Sequence, residues 1–341
     1  MSFFAEILGT GRAVPDKVLT NADLERMVET SDEWITERTG IKERRIGDES
    51  TTASSLGTEA ALKAMEMAGV TADDLDLILV ATVTADMPFP SASCLIQRNL
   101  RAWKAAALDI SAGCTGFIYG LSVADSYIKS GQAKTILLIG VEILTKITDW
   151  TDRSTCVLFG DGAGAVILQA RTDQSGRGSP WAASSNGRRG LMGAYLGADG
   201  RYGELLFMPG GGSLNPATQQ SLDKRQHFLK MEGNAIFKIA VQTMGDSCLK
   251  ILEKLQMKPE QIDLLIPHQA NLRIIQATAK RLKLPMEKVY VNIDRYGNTS
   301  SASIPMALDE VRRSELYRPG MNVLLVAFGA GLTWGSAVVA I

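Results

Sequence analysis

The chain carries an internal repeat, which constrains its fold more than any other feature of the sequence. Ala61–Glu66 followed by Asp74–Ile78 has a counterpart in Cys248–Glu253 followed by Gln261–Leu265, and both parts are separated by the same offset along the chain. In both copies the apolar spacing indicates an amphipathic helix, a turn and then an apolar strand. Because 341 residues are also too many for one simple core, we expect two similar α/β halves.

Two turns and two glycine-rich segments continue the repeat. Ser111–Gly116 contains Gly-Cys-Thr, and Arg295–Ser300, at almost the same offset, contains Gly-Asn-Thr. Each half then reaches a glycine-rich segment that we interpret as a hairpin, Phe159–Gly164 in the first half and Phe328–Gly331 in the second. Helix, strand, helix and hairpin in this order predict buried, partly parallel sheets.

The junction between the halves is predicted near Gln169–Ala183, which is polar and rich in turn residues. This divides the chain into an N-terminal half, 1–170, which holds the Gly-Cys-Thr turn, and a C-terminal half, 171–341, which holds the Gly-Asn-Thr turn. A second irregular segment, Gly210–Gln226, is predicted to be a surface loop with no fold of its own.

Composition excludes several classes of protein. The net charge of −1 gives no overall field for nucleic acid or membranes, so we expect neither as a partner. The longest apolar run, Thr135–Val141, is too short to span a bilayer, and the N-terminus lacks the pattern of a signal peptide. Four cysteines without a disulfide framework and only two histidines favour a reducing, cytoplasmic location and no metal site.

Cys114 is the candidate nucleophile. It lies between a predicted strand end and the predicted helix Thr115–Lys129, whose N-terminus should lower the thiol pKa. Gly113 and Gly116 permit the tight turn and leave room for a substrate. A buried structural cysteine is the alternative.

An imidazole and an amide complete a possible catalytic set. His268 ends the predicted strand Ile262–Ile266 and precedes the predicted helix Ala270–Leu282, a position where reactive groups collect in α/β folds. Asn298 corresponds to Cys114 in the repeat, although either residue could be purely structural. Together with the thiol they provide the groups for acyl transfer through a thioester, a chemistry shared with papain-like hydrolases.

The motifs that contain these three residues, Gly-Cys-Thr-Gly, His-Gln-Ala-Asn-Leu-Arg and Tyr-Gly-Asn-Thr-Ser, resemble those of the β-ketoacyl-acyl-carrier-protein synthase III family of the thiolase-like superfamily. The resemblance also includes Gly9–Gly11, Thr30–Trp34, Arg38–Ile41, Asp152–Arg153, Glu232–Asn234 and Thr333–Ser336. Asparagine in the third role separates this family from elongating condensing enzymes, thiolases and hydroxymethylglutaryl-CoA synthases. Chalcone-synthase-like enzymes share it but have a different cysteine neighbourhood and a longer chain.

The resemblance implies a thiolase-like fold in which two duplicated α/β halves form a layered αβαβα sandwich. It also implies a homodimer that condenses a short acyl-CoA primer with malonyl-acyl-carrier protein and starts type II fatty-acid synthesis without a cofactor. A relative from polyketide or other secondary metabolism is the alternative. An inactive partner subunit is a third possibility, which the intact Cys114, His268 and Asn298 disfavour.

The resemblance assigns roles by position. Cys114 would carry the acyl group, and His268 Nε2 and the Asn298 amide would donate hydrogen bonds to the thioester oxygen of the malonyl group. The backbone N–H groups of Cys114 and Ala330 would form a second oxyanion hole. The family usually has glycine where this chain has Ala330, and alanine keeps the N–H donor.

Further positions match the binding surfaces of the family. Trp34 and Arg153 would sandwich the adenine of CoA. The remaining positions for CoA and its pantetheine arm are Thr30, Arg38, Gly233, Asn234, Phe237, Ala270 and Asn271. The acyl pocket would be lined by Phe89, reaching in from the partner subunit, Leu144 and Phe328, and the acidic acyl carrier protein would dock on Lys238, Arg273, Lys280 and Arg281.

Overall fold

The computed structural model describes residues 3–172 and 190–341. Its strands are β1 (Phe3–Ala13), β2 (Val18–Thr20), β3 (Glu43–Arg45), β4 (Leu77–Ala81), β5 (Ala106–Ile110), β6 (Thr135–Ile143), β7 (Asp161–Thr172), β8 (Gly190–Ala198), β9 (Leu206–Phe207), β10 (Lys230–Met231), β11 (Leu264–Pro267), β12 (Asn322–Gly329) and β13 (Thr333–Ala340). Its helices are α1 (Asn21–Glu25), α2 (Asp32–Thr39), α3 (Ala53–Ala68), α4 (Ala92–Leu100), α5 (Gly116–Lys129), α6 (Gln219–Asp223), α7 (Gly233–Lys254), α8 (Leu272–Arg281), α9 (Ile293–Tyr296) and α10 (Ser303–Arg312).

Two mixed sheets form the framework. The first has the strand order β1-β7-β6-β4-β5, with β4 parallel to both β5 and β6 and the other pairs antiparallel. The second has the order β11-β12-β13-β8, with β11 parallel to β12. The prediction of buried, partly parallel sheets is confirmed.

The sheets and helices stack in five layers, because both faces of each sheet are apolar. In β4, Leu77 and Leu79 pack towards α5 and α10, which lie between the sheets, whereas Ile78 and Val80 pack towards α3 and α4. The second sheet shares the central helical layer and is covered outside by α7 and α8. This order of layers is the predicted αβαβα sandwich.

The repeat is more regular in the structure than in the motifs. The strands β1, β4 and β6 precede β8, β11 and β12 by one constant offset in residue number, and the same offset separates the start of α5 from that of α10. Short 3-10 turns, Gly113–Thr115 and Ser300–Ala302, precede α5 and α10. Both turns begin on a residue with left-handed backbone, with φ of 52° at Gly113 and 47° at Ser300.

The predicted equivalence of Cys114 and Asn298 is therefore wrong. The residue that occupies the place of Cys114 in the second half is Ser301, since Ser300 has the backbone conformation of Gly113. The sequence comparison aligned the glycines of the two motifs. That alignment is out of register with the helices and strands of the repeat. Asn298 reaches the site from the segment before the turn.

The first of the two predicted hairpins is also wrong. Gly160 is followed directly by β7, so the glycines at 162 and 164 lie within the strand, and residues 144–160 connect β6 to β7. These glycines allow α10 to approach, because a Cβ at Gly164 would lie 2.5 Å from the backbone nitrogen of Met306. The second hairpin is confirmed by the pairing of Gly329 with Thr333.

The remaining sequence expectations concern connections. Gly210–Gln226 contains α6, which the loop prediction missed, and its first turn is capped by reciprocal bonds between Thr218 and Ser221. Most of the predicted junction, 173–183, lies outside the described residues, and its start falls within β7, so the division into halves at 170 stays a prediction. No helix in the described ranges is long and apolar enough to cross a membrane.

Candidate active site

The turn before α5 holds Cys114 against the end of β12. The residue is 9% exposed, and a Cβ at Gly329 would lie 2.7 Å from the Cys114 Cβ and 3.1 Å from its Sγ. The Thr333 hydroxyl lies 3.0 Å from the carbonyl oxygens of both Ala112 and Ala330, and so ties the two loops together. Cys114 is therefore fixed by contacts with β12 and with the loop that follows it.

Burial dominates the ionisation of this thiol. It raises the pKa of Cys114 to about 11, and the negative charge of Glu142 acts in the same direction. The Ser300 hydroxyl and the backbone N–H groups of Cys114 and Ala330 lower the pKa by smaller amounts. The lowered pKa expected from the helix N-terminus is not found, because burial disfavours the charged thiolate more than the nearby donors favour it.

The two backbone N–H groups that act on the sulfur are those assigned to the oxyanion hole. Ala330 is not among the described non-glycine residues with positive φ, so its backbone accommodates a Cβ. Alanine in place of the usual glycine is compatible with this geometry. The two donors converge on the Cys114 sulfur.

His268 follows β11 and is 1% exposed. Its Nδ1 lies 2.7 Å from Ser303 Oγ, whereas Nε2 is buried and has no hydrogen-bond partner in the described structure. Burial lowers the pKa of this imidazole to about 3, so it is neutral at physiological pH. The ring therefore offers one free nitrogen to the site.

The tautomer of His268 depends on one hydroxyl. Ser303 Oγ also lies 2.9 Å from the carbonyl oxygen of Ser300, and it has a single proton for two acceptors. If the hydroxyl donates to Ser300, it can accept from Nδ1–H, and both hydrogen bonds are made. Satisfying both favours the Nδ1–H tautomer in the empty site, which leaves Nε2 as an acceptor rather than the expected donor.

Asn298 is held by hydrogen bonds of its backbone and of its side-chain carbonyl group. Its N–H donates to the carbonyl of Leu158 at 2.8 Å, and its carbonyl accepts from Gly160 at 3.1 Å. The side-chain Oδ1 accepts from the N–H of Ser300 at 2.8 Å. Because Oδ1 is committed to the turn, the Nδ2 group is the end that can donate to a substrate.

Glu142, at the end of β6, was missed by the sequence analysis. It is fully buried, and its carboxylate accepts from Thr84 Oγ1 at 2.6 Å, Ser301 Oγ at 3.0 Å and Ser300 Oγ at 3.3 Å. Burial raises its pKa to about 7. An alignment of the repeat on the offset of its strands would have placed Ser300 and Ser301 beside the turn that contains Cys114. No sequence signal marked Glu142.

The residues assigned to the adenine site do come together. The Trp34 ring has the Arg153 guanidinium 4.9 Å and the Arg38 guanidinium 5.6 Å from its centroid. Nearby, the Thr30 hydroxyl is buried without a partner in the described structure. Asn271 caps α8 and donates to the carbonyl of Arg38 at 2.9 Å, so it joins α8 to α2.

The start of α7 provides the assigned pantetheine positions. Gly233 and Asn234 are exposed at the first turn, and Phe237 is half-buried with the Arg273 guanidinium 5.1 Å from its ring centroid. Ala270 lies between His268 and the cap of α8 and is half-buried. The assigned pantetheine positions thus lie at the starts of α7 and α8.

The basic set assigned to the carrier protein is divided. Lys238 and Arg273 are exposed near the starts of α7 and α8. Lys280 and Arg281 lie at the other end of α8, about 12 Å away along its axis, and Arg281 pairs with Asp246 at 3.0 Å. Of these residues, Arg273 lies against Phe237, and Lys238 follows Phe237 directly in the chain.

The acyl-pocket residues have different surroundings. Leu144 and Phe328 are buried, the latter among residues of the outer layer that include Phe237. Phe89 is 84% exposed and so is not packed into the site of its own chain. Within the described ranges no cluster of three or more histidine, cysteine or acidic side chains is arranged to hold a metal ion.

Comparison with known proteins shows the family of the chain. The family model for 3-oxoacyl-[acyl-carrier-protein] synthase III matches residues 108–187, and the model for its C-terminal part matches residues 252–341. A β-ketoacyl-[acyl-carrier-protein] synthase III from Caldanaerobacter subterraneus subsp. tengcongensis is 53% identical over 98% of this chain and 97% of its own.

Solved structures give the same result. A 3-oxoacyl-[acyl-carrier-protein] synthase III from Aquifex aeolicus VF5 superposes with a TM-score of 0.87 at 46% identity, covering 99% of this chain and all of the other. The priming β-ketosynthase of the R1128 polyketide pathway superposes with a TM-score of 0.87 at 32% identity, covering 99% of this chain and 96% of its own. With its fold, its motifs and half of its residues shared over nearly the full length, this chain belongs to the β-ketoacyl-acyl-carrier-protein synthase III family.

Proposed function

We propose that the chain condenses a short acyl-CoA primer, acetyl-CoA or similar, with malonyl-acyl-carrier protein to give β-ketoacyl-acyl-carrier protein, CoA and CO2. This decarboxylative Claisen condensation starts type II fatty-acid synthesis, and the enzyme is an acyltransferase. The observation that supports it best is the buried Cys114 thiol on which the N–H groups of Cys114 and Ala330 converge. Acyl-CoA and the malonyl carrier protein are substrates, and the chemistry needs no resident cofactor.

In the first half-reaction the Cys114 sulfur attacks the primer carbonyl. The carbon–sulfur bond to CoA breaks, and CoA leaves as its thiolate. The Cys114 and Ala330 N–H groups hold the carbonyl oxygen while it carries negative charge. A buried, protonated thiol must lose its proton during this step.

In the second half-reaction the malonyl thioester loses CO2 and its oxygen becomes an enolate. The Asn298 Nδ2 group and His268 Nε2–H donate to that oxygen, which requires the Ser303 hydroxyl to turn from Ser300 towards Nδ1. Both donors are neutral and buried, where they stabilise developing charge most effectively. The carbanion then attacks the Cys114 thioester.

The substrate surfaces follow from the same assignment. The Arg153 guanidinium lies 4.9 Å from the Trp34 ring centroid, so the adenine of CoA enters between the two side chains when Arg153 moves away from the ring. The pantetheine arm runs past Phe237 towards His268. Lys238 and Arg273 attract the acidic carrier protein to the channel entrance. Lys280 and Arg281 contribute at the edge of this surface. The ion pair with Asp246 weakens the attraction of Arg281 for the carrier protein.

We also propose a homodimer in which Phe89 of the partner subunit closes the acyl pocket. Its 84% exposure in a single chain supports a role outside its own subunit. Strand β5, at the edge of the first sheet, is only partly covered and offers a pairing surface. Light scattering tests the dimer, and Phe89→Ala should admit longer primers than the wild type.

The assignment is tested by incubating the purified protein with a panel of labelled acyl-CoAs and mapping the labelled peptide. Label should lie on Cys114 and move into a β-ketoacyl product when malonyl-acyl-carrier protein is added. Labelling that persists in Cys114→Ala, or release of the free acid, would refute the condensation. Preference for an unusual primer would instead favour the secondary-metabolic role, which the R1128 priming enzyme illustrates.

A further inference from the structure

We propose that Glu142 is the acceptor for the Cys114 proton and that Ser300 relays it between them. This rests on the proposed acylation of Cys114. In the resting enzyme the thiol is protonated, and His268 is too weak a base to deprotonate it, since burial lowers the imidazole pKa to about 3. The site therefore needs another base.

The hydroxyl of Ser300 connects the two groups. It acts on the Cys114 sulfur as a hydrogen-bond partner, and it lies 3.3 Å from Glu142 Oε1. Ser300 has a left-handed φ of 47°, a conformation for which its counterpart in the repeat, Gly113, is glycine.

The surroundings of Glu142 suit a proton acceptor. Its carboxylate is fully buried and forms no ion pair with a described lysine or arginine, but it accepts hydrogen bonds from Thr84 and the N–H of Val83 as well as from the two serines. Two titratable groups lie on the elements around it. One is Cys114, and the other is Asp161, which lies one residue pair further along the ladder between β6 and β7. Asp161 is bonded to Thr145 and Gly47. A pKa of about 7 leaves Glu142 partly ionised at neutral pH.

The proton balance closes over the cycle. As Cys114 Sγ bonds to the primer carbonyl, its proton passes to Ser300 Oγ while the Ser300 proton passes to Glu142 Oε1. CoA leaves as its thiolate and takes a proton from water. When the carbanion displaces Cys114 from the acyl group, Glu142 returns its proton through Ser300 to the sulfur.

The test measures single-turnover acylation of Cys114 by labelled acyl-CoA from pH 5.5 to 9. In the wild type the rate should rise as Glu142 ionises, with a midpoint near its pKa of about 7, and then level off. Glu142→Gln should remove this midpoint and lower the plateau about 10²-fold. Ser300→Gly, which suits the left-handed backbone, should cause a similar loss, and the double variant should be no slower than either.

Ser301→Ala is the matched control. Ser301 also bonds to Glu142, at 3.0 Å, but its hydroxyl lies 2.8 Å from the carbonyl of Ala81 and it does not act on the thiol. This variant should keep the rise of the rate with pH, with its midpoint moved to higher pH because the Ser301 hydrogen bond lowers the Glu142 pKa, whereas Glu142→Gln and Ser300→Gly should not.

Opposite results would overturn the relay. If Glu142 acted only through its charge, its removal would lower the thiol pKa, and Glu142→Gln would accelerate acylation. Additive losses in the double variant would also contradict a single path. A wild type that is never acylated on Cys114 would refute the proposed function instead, so the two failures are distinguishable.

Discussion

Ser303 Oγ lies 2.7 Å from His268 Nδ1 and thereby controls which nitrogen of the imidazole carries the proton. The same hydroxyl reaches the Ser300 carbonyl at 2.9 Å. A residue on the first turn of α10 thus couples the donor capacity of His268 to the turn that packs beside Cys114.

Imidazole NMR can detect this coupling directly, because the chain has only two histidines. With 15N-labelled histidine, the empty wild type should show the Nδ1–H tautomer at His268. A non-decarboxylating malonyl thioester should shift it to Nε2–H, since Nε2 then has an acceptor. Ser303→Ala should give Nε2–H without a ligand, and His227→Asn identifies the other ring. An unchanged spectrum in Ser303→Ala would contradict the coupling.

Asn298→Ala should separate the two half-reactions. It removes the Nδ2 donor proposed for the malonyl oxygen, so decarboxylation should fall about 10²- to 10³-fold. Acylation of Cys114 should fall much less in the same preparation, although the Oδ1 acceptor for the Ser300 N–H is lost as well. Release of CO2 from labelled malonyl-acyl-carrier protein and the labelling of Cys114 measure the two steps. Equal losses in both would mean that Asn298 is mainly structural.

Gly329→Ala should displace the nucleophile. A Cβ there would lie 2.7 Å from the Cys114 Cβ and 2.8 Å from its backbone nitrogen, so the turn must move. The resulting displacement of Cys114 should slow its acylation about 100-fold. Gly212→Ala is the control, because it has open space and no left-handed φ, and its rate should match the wild type.

Arg153→Ala should weaken CoA binding without changing the chemistry. The guanidinium lies 4.9 Å from the Trp34 ring centroid, and its loss removes one side of the proposed adenine site. KM for acyl-CoA should rise about five- to tenfold, with kcat and KM for the malonyl carrier protein nearly unchanged. Arg201, which lies over Tyr202, provides a control in Arg201→Ala. Equal changes for both substrates would argue against an adenine site.

His268 should make the protein sensitive to acid. Its folded pKa of about 3 lies below the ordinary value of 6.5, so the unfolded chain binds the extra proton first as pH falls. The free energy of unfolding should therefore decrease between pH 6.5 and 4, by about 3 kcal/mol from this group. His268→Asn should flatten that part of the profile in urea denaturation, whereas His227→Asn should not. Parallel profiles for all three proteins would contradict a buried neutral imidazole.

The sequence determined the architecture because the pattern of apolar residues and the repeat are local properties of the chain. The helix at 116–129, the strand before His268 and the second hairpin follow from spacing and from glycine positions that short segments reveal. The resemblance to a family then located Cys114, His268 and Asn298. Each of these residues comes from a segment whose helix or strand can be predicted from the sequence of that segment alone.

The tertiary structure decided which residues meet and how they ionise. Ser301, not Asn298, is the counterpart of Cys114, because backbone conformation rather than a shared glycine defines the turn. Burial by both halves raises the pKa of Cys114, against the expectation from the helix N-terminus alone. Glu142 lies on a strand of the first half and approaches the site through Ser300 of the second half. Such effects depend on the packing of distant segments, which no local pattern encodes.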